Sequence, residues 1–172
     1  MKLKSVFRNL FIIAVSLGIT ACVSADEEKE ETVSMDKVPQ AVKDTLKKYA
    51  AESDVKTVEK GDQDGTKVFE FDIAQGKRSF EVAITPDGTF MGTEEDIQLT
   101  DMPEAAQAAL KAQAGGGKMS GFEKAVDKNN KTTYEAGIEK GGKKSEVAVD
   151  ADGKVVSTES ADKEKAAKDE KD

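Results

Sequence analysis

The stretch Phe69-Glu70-Phe71-Asp72-Ile73-Ala74-Gln75-Gly76-Lys77-Arg78-Ser79-Phe80-Glu81-Val82-Ala83-Ile84 decides how this chain folds. Phe69, Phe71 and Ile73 alternate with Glu70 and Asp72, and Phe80, Val82 and Ile84 alternate with Glu81 and Ala83. A period of two puts the apolar set on one face of a strand and the acidic set on the other. Gln75-Gly76 lies between the two runs as a turn, so they read as an antiparallel hairpin. Pro86-Asp87-Gly88 makes the next turn, with Gly supplying positive φ. A fourth strand follows near Thr89–Thr93, and a short first strand lies around Val58. Upstream, Val38, Val42, Leu46 and Tyr49 recur at helical spacing. Asp36 is the expected N-cap of that helix, with Pro39 in its first turn.

The same unit is then written again. Val38-Pro39-Gln40-Ala41 aligns with Met102-Pro103-Glu104-Ala105 at an offset of 64 residues. Leu46 falls on Leu110 and Glu59-Lys60 on Glu123-Lys124. After a one-residue insertion, Glu70 meets Glu135, Glu81-Val82-Ala83 meets Glu146-Val147-Ala148, and Thr93-Glu94 meets Thr158-Glu159. Identities spread over a whole unit point to internal duplication. The second helix is expected from a Thr100 cap, with Met102, Ala106 and Leu110 on one face, ending at Gly115-Gly116-Gly117. The expected fold is therefore α+β, a tandem repeat of a helix packed on a four-stranded antiparallel β-meander, with units at 36–97 and 98–160. The second core is lighter, because Ala136 and Ser145 stand where the first unit has Phe71 and Phe80. It is expected to be the less stable half.

Composition limits the chemistry. The chain has 172 residues, one Cys, three Pro, and neither His nor Trp. Imidazole catalysis and imidazole metal ligation are excluded, and one Cys excludes an internal disulfide, an all-cysteine zinc site and a Cys-x-x-Cys pair. With 26 basic and 34 acidic residues the formal charge is −8, which argues against nucleic acid as a partner.

The N-terminus reads as an export signal. Lys2, Lys4 and Arg8 precede the apolar run Leu10–Leu17, which is too short to span a bilayer. Ile19-Thr20-Ala21-Cys22 is similar to a bacterial lipobox, which makes 1–21 the signal and Cys22 a lipid-attachment residue. Cleavage after Ala25 is the alternative, since Val23-Ser24-Ala25 suits ordinary signal peptidase. Metabolic palmitate labelling of wild type against Cys22→Ser distinguishes the two. Loss of Lys2, Lys4 and Arg8 leaves 23 basic against 34 acidic residues, or −11. Residues 22–35 read as an acidic disordered linker and 161–172 as a charged disordered tail.

The order and spacing of these elements resemble the PepSY-like family, also labelled β-lactamase-inhibitor-like. The residues that carry the resemblance are Val38-Pro39-x-Ala41-Val42, Val58-Glu59-Lys60, Phe69-Glu70-Phe71, Gly76-Lys77-Arg78-x-Phe80-Glu81-Val82 and Pro86-Asp87-Gly88. In the second unit they are Met102-Pro103-x-Ala105, Phe122-Glu123-Lys124, Tyr134-Glu135, Gly141-Gly142-Lys143-x-x-Glu146-Val147 and Asp152-Gly153-Lys154. The resemblance covers about residues 36–160, and Ser145 departs from it by replacing an aromatic. It implies an envelope or secreted protein whose sheets grip a protein partner, with a protease or another hydrolase as candidate partner. It supplies no catalytic residues.

Candidate chemistry is sparse. Asp150-x-Asp152-Gly153 and Asp62-Gln63-Asp64-Gly65 echo a calcium loop, but each lacks ligand positions and reads as a hairpin turn. Gly115-Gly116-Gly117-Lys118 follows a helix, whereas a phosphate loop precedes one. No metal, cofactor or enzymatic activity is expected. The sharper feature is the sheet face away from the helix. It carries Glu59, Glu70, Asp72 and Glu81 in the first unit, and Glu123, Glu135, Glu146 and Asp150 in the second. Turns at Gln75-Gly76 and Lys140-Gly141 would place Glu70 opposite Glu81 and Glu135 opposite Glu146, where like charges destabilise by up to about 1 kcal/mol. Such a face is either a solvated surface that discourages edge association or a surface for a cationic partner. The expected role is a non-enzymatic envelope protein, tethered to the membrane by lipid and exposed to the periplasm or cell surface. It would bind and inhibit another envelope protein through the open sheet faces. A low-affinity divalent-cation buffer and a passive structural lipoprotein are the alternatives.

Overall fold

The computed structural model describes residues 31–63 and 65–160. The signal 1–21, Cys22, linker residues 22–30, Asp64 and the tail 161–172 lie outside the described residues. Among the described residues nine strands follow in chain order: β1 (Glu31–Thr32), β2 (Val55–Gln63), β3 (Thr66–Gln75), β4 (Arg78–Ile84), β5 (Phe90–Asp96), β6 (Lys118–Asp127), β7 (Thr132–Lys140), β8 (Lys143–Asp150) and β9 (Val155–Ser160). Two α-helices accompany them, α1 (Gln40–Leu46) and α2 (Glu104–Ala114).

The expected α+β class, a tandem repeat of a helix packed on a four-stranded meander, is corrected here. The strands form one nine-stranded sheet in the order β1 to β9, and the helices are a minor component. The physical reason lies in β5, the strand expected to close the first meander. Its residues Gly92–Asp96 pair antiparallel with Asp127–Glu123 of β6, so that edge is hydrogen-bonded rather than free. Glu31 and Thr32, read as linker, form β1 against Lys60 and Glu59.

The chain divides into two compact units between Met91 and Gly92. In the first, Val42 and Leu46 of α1 pack on Phe69, Phe71, Ile73, Phe80, Val82 and Ile84, the apolar half of the deciding hairpin. In the second, Ala106, Leu110 and Ala114 of α2 pack on Ala136, Ile138, Val147 and Val149.

Both helices begin later than their expected caps. Asp36 and Thr100 fall in short 3-10 turns, Met35–Lys37 and Leu99–Asp101, and the N-caps are Pro39 and Pro103. A residue before proline is pushed out of the α region. Val38 (ψ 130°) and Met102 (ψ 155°) accordingly stay extended, and no helix can run through them. Gly115, in the left-handed conformation at φ 52°, ends α2 as expected. Tyr49 lies beyond the end of α1, where its ring stacks on Phe90 at 4.7 Å between centroids.

Each helix is held against a hairpin by a glycine without a side chain. A Cβ on Gly88 would lie 2.8 Å from the Ala41 carbonyl oxygen, and one on Gly153 would lie 2.6 Å from that of Ala105. In the first unit the Thr45 hydroxyl donates to the Gly88 carbonyl at 2.7 Å.

Candidate functional site: two acidic sheet faces

The register of the acidic faces is set by the hairpin loops. Gln75 pairs with Arg78, and Lys140 with Lys143, so the loops are Gly76-Lys77 and Gly141-Gly142. Gly76, Gly141 and Gly142 take φ of 64°, 60° and 79°, the conformation a two-residue hairpin loop requires. Relative to the expected turns, every partner moves by two residues. Glu70 lies opposite Ala83 rather than Glu81, and Glu135 opposite Ala148 rather than Glu146. A shift of two preserves the face, so the carboxylates remain together but with different neighbours. The directly opposed acidic pairs are Glu59 with Glu70, Asp72 with Glu81, Asp96 with Glu123, Glu123 with Glu135, and Glu146 with Glu159.

In the first unit the four carboxylates are half-buried. Gln63 Nε2 donates to Glu70 Oε1 at 3.2 Å, and the Thr57 hydroxyl donates to Asp72. The Glu70 carboxylate lies over Gly61, where an added Cβ would meet it at 3.1 Å. Val68 and Ala83, on the same strand faces by alternation, are buried. The first face is thus a block of four acidic groups with the buried Val68 and Ala83 beside it.

The second face is built differently. Glu135 is only 8% exposed, and Thr133, Ala125 and Ala148 around it are buried too. The Thr133 hydroxyl donates to Glu135 Oε1 at 3.3 Å, and the Glu146 carboxyl is a close neighbour of Glu135. Burial, followed by the charges of Glu146 and Asp96, pushes Glu123 up to about 7. Burial first, then the bond to Glu135 and the charges of Glu135 and Glu159, pushes Glu146 up to about 8. Glu135 is raised, chiefly by burial. A desolvated carboxyl beside its own kind favours the neutral form.

Asp150 does not join this group. Its Oδ1 accepts from the backbone N–H groups of Asp152 and Lys154, at 3.1 and 2.8 Å, and closes the β8–β9 turn. Asp127 does the same for Asn129 and Lys131, each at 2.8 Å. Cys22 lies outside the described residues. Sequence reasoning missed Glu159, Asp96 and Thr133. Glu159 was signalled by its match with Glu94 in the repeat, whereas nothing in the pattern marks Thr133. Among the described residues, no group of three or more carboxylate or thiol side chains is arranged to hold a metal ion.

Solved structures share this architecture. A BLIP-like protein from Bacteroides fragilis is 20% identical, with a TM-score of 0.58 over 72% of this chain and 86% of that one. The chain has the BLIP-like fold. A DUF2874 family protein from Bacteroides ovatus is 15% identical, with a TM-score of 0.60 over 73% and 89% of the two chains. A protein from Bacteroides eggerthii described as periplasmic is 17% identical, with a TM-score of 0.59 over 72% and 88%. No family model matches the chain, and no curated protein matches it. The PepSY-like label therefore rests on the motifs quoted above, and the solved structures support the BLIP-like part of the resemblance.

Proposed function

We propose that this chain is a non-enzymatic protein of the bacterial envelope that binds, and inhibits, a protein partner presenting a basic surface to the first acidic face. The observation that carries the reading is the pairing of Glu59 with Glu70 and Asp72 with Glu81, directly across neighbouring strands. Such like pairs oppose folding by up to about 1 kcal/mol each, and an approaching cationic side chain removes that opposition. The BLIP-like fold and the periplasmic description of one structural neighbour support the export and binding parts of the reading. The second face is a poorer anionic surface, because burial keeps part of its carboxyl set neutral near pH 7.

The test is capture from native envelope extract with the full chain, run beside a variant carrying Glu59→Gln, Glu70→Gln, Asp72→Asn and Glu81→Gln. The proposal expects a hydrolase released by moderate salt from wild type, absent from the variant, and slowed by the wild-type chain in its own assay. Identical captured sets from the two proteins would refute the acidic-face reading. The lipid anchor at Cys22 belongs to the same proposal and is read out by palmitate labelling.

A further inference from the structure

The two faces differ in how deeply their carboxyl groups are set: Glu135 is buried, whereas the four of the first face are half-buried. In the first unit Glu70 accepts from an amide N–H of Gln63 and Asp72 from the hydroxyl of Thr57, donors that an ionised carboxylate accepts without a proton of its own. In the second unit Glu135 accepts from the Thr133 hydroxyl at 3.3 Å, and beside it lies a second carboxyl, Glu146, with which it can share a proton. An ionised carboxylate has no hydrogen to donate, so a bond between two carboxyls exists only while the pair holds a proton.

The surroundings reinforce this requirement. Glu123 lies opposite Glu135 on β6, and Glu159 lies opposite Glu146 on β9. Asp96 of β5 lies opposite Glu123. Glu135 itself is buried, so water cannot screen a second negative charge there. Along the same strand faces, Lys144 is opposite Glu139 and Asp150 is opposite Thr133 and engaged in its turn. Lys124 pairs with Tyr134, on the opposite strand face from Glu123 by alternation.

We propose that Glu135 and Glu146, with Glu123 beside them, form a proton-holding carboxyl cluster that makes the second unit loosen as the medium passes from mildly acid to mildly alkaline. The sign follows from linkage. Glu123 and Glu146 titrate at about 7 and about 8 in the folded chain, above the ordinary carboxylate value of the unfolded chain. The folded state therefore holds more protons across that interval, and its stability falls as pH rises. The stabilisation from bound protons is full below the ordinary carboxylate range and lost as pH passes through about 7 and about 8. Asp36, Asp44 and Asp87 are held below the ordinary value by bonds from Ser34, Gln40 and Thr85. They act only at more acid pH and do not mask the effect.

The test is urea unfolding of the full chain between about pH 5.5 and pH 8.5, followed by the NMR amide signals of β7 and β8, with those of β3 as internal control. One retained proton predicts a folding constant for the second unit that falls about tenfold per pH unit below the folded pKa. Glu135→Gln and Glu146→Gln replace a proton-bearing group by an amide, so each variant should flatten the profile and raise stability at the alkaline end. An infrared band of protonated carboxyl should be present at about pH 6, diminished in both variants, and lost by about pH 9 in wild type. A flat wild-type profile, an unchanged slope in both variants, or no protonated-carboxyl band at about pH 6 would overturn the proposal. The infrared measurement needs no variant and decides the matter even if the substitutions impair folding.

Discussion

At the residue scale, two glycines hold positions that no other side chain can share. Gly88 and Gly153 have φ of 90° and 81°, and a Cβ on either would press into a helix carbonyl. Gly65 has φ 78° but nothing within 4 Å of its Cβ position. Gly88→Ala and Gly153→Ala should therefore cost more than Gly65→Ala, about 2 kcal/mol or more against about 1 kcal/mol. Urea midpoints of the three variants check this, and equal losses would show that conformation alone, not helix contact, sets the cost. The glycines were legible in the sequence as turn residues, through Asp87-Gly88 and Asp152-Gly153. Their contact with the helices was not, because a turn motif records local φ and says nothing of what packs across it. That Glu59, Glu70, Asp72 and Glu81 share a face was equally legible, since alternation assigns a face whatever the register, whereas Asp96 and Glu159 of the second face were missed. Burial was not legible. A glutamate in an alternating pattern reads as solvated, yet Glu135 is 8% exposed.

At the element scale, the strands of the deciding hairpin and their second copies follow from period-two alternation, and α1 and α2 from helical spacing. The strand register differed by two residues because Gln75-Gly76 and Gly76-Lys77 are equally plausible turns on composition. Only the pairing of Gln75 with Arg78 distinguishes them. The helix starts shifted because Pro39 and Pro103 act on the residue before them, which outweighs a nearby Asp or Thr cap. The unequal cores carry the second prediction. Phe71 and Phe80 are buried in the first unit, while Ala136 and half-buried Ser145 stand in the second. Large-to-small differences of this kind run to about 3–5 kcal/mol for a buried Phe to Ala change in a fixed core. These units differ at many positions, so the comparison predicts order alone. In the full chain, amide signals of β7 and β8 should be lost at lower urea than those of β3 and β4, even at acid pH. The reverse order would remove the argument from core volume.

At the scale of the whole molecule, the expected α+β repeat of helix-on-meander units gave way to one sheet ordered β1 to β9. Repetition in sequence identifies like segments but does not say whether the last strand of one copy stays an edge. That is decided by a non-local partner, here β6 for β5. The proposed binding role in the envelope draws on the BLIP-like fold, the export signal expected from residues 1–21 and the opposed carboxylates of the first unit. That role stands or falls on whether the partner touches those carboxylates. Carbodiimide joins a carboxylate to a lysine amine only in direct contact, so it reports the contact itself. The decisive measurement is cross-linking of the full chain in native envelope, with peptides mapped by mass spectrometry. The account predicts linkages from Glu59, Glu70, Asp72 or Glu81 to lysines of one partner. Linkages confined to α1, α2 or the hairpin turns, with those four residues unlabelled, would contradict it.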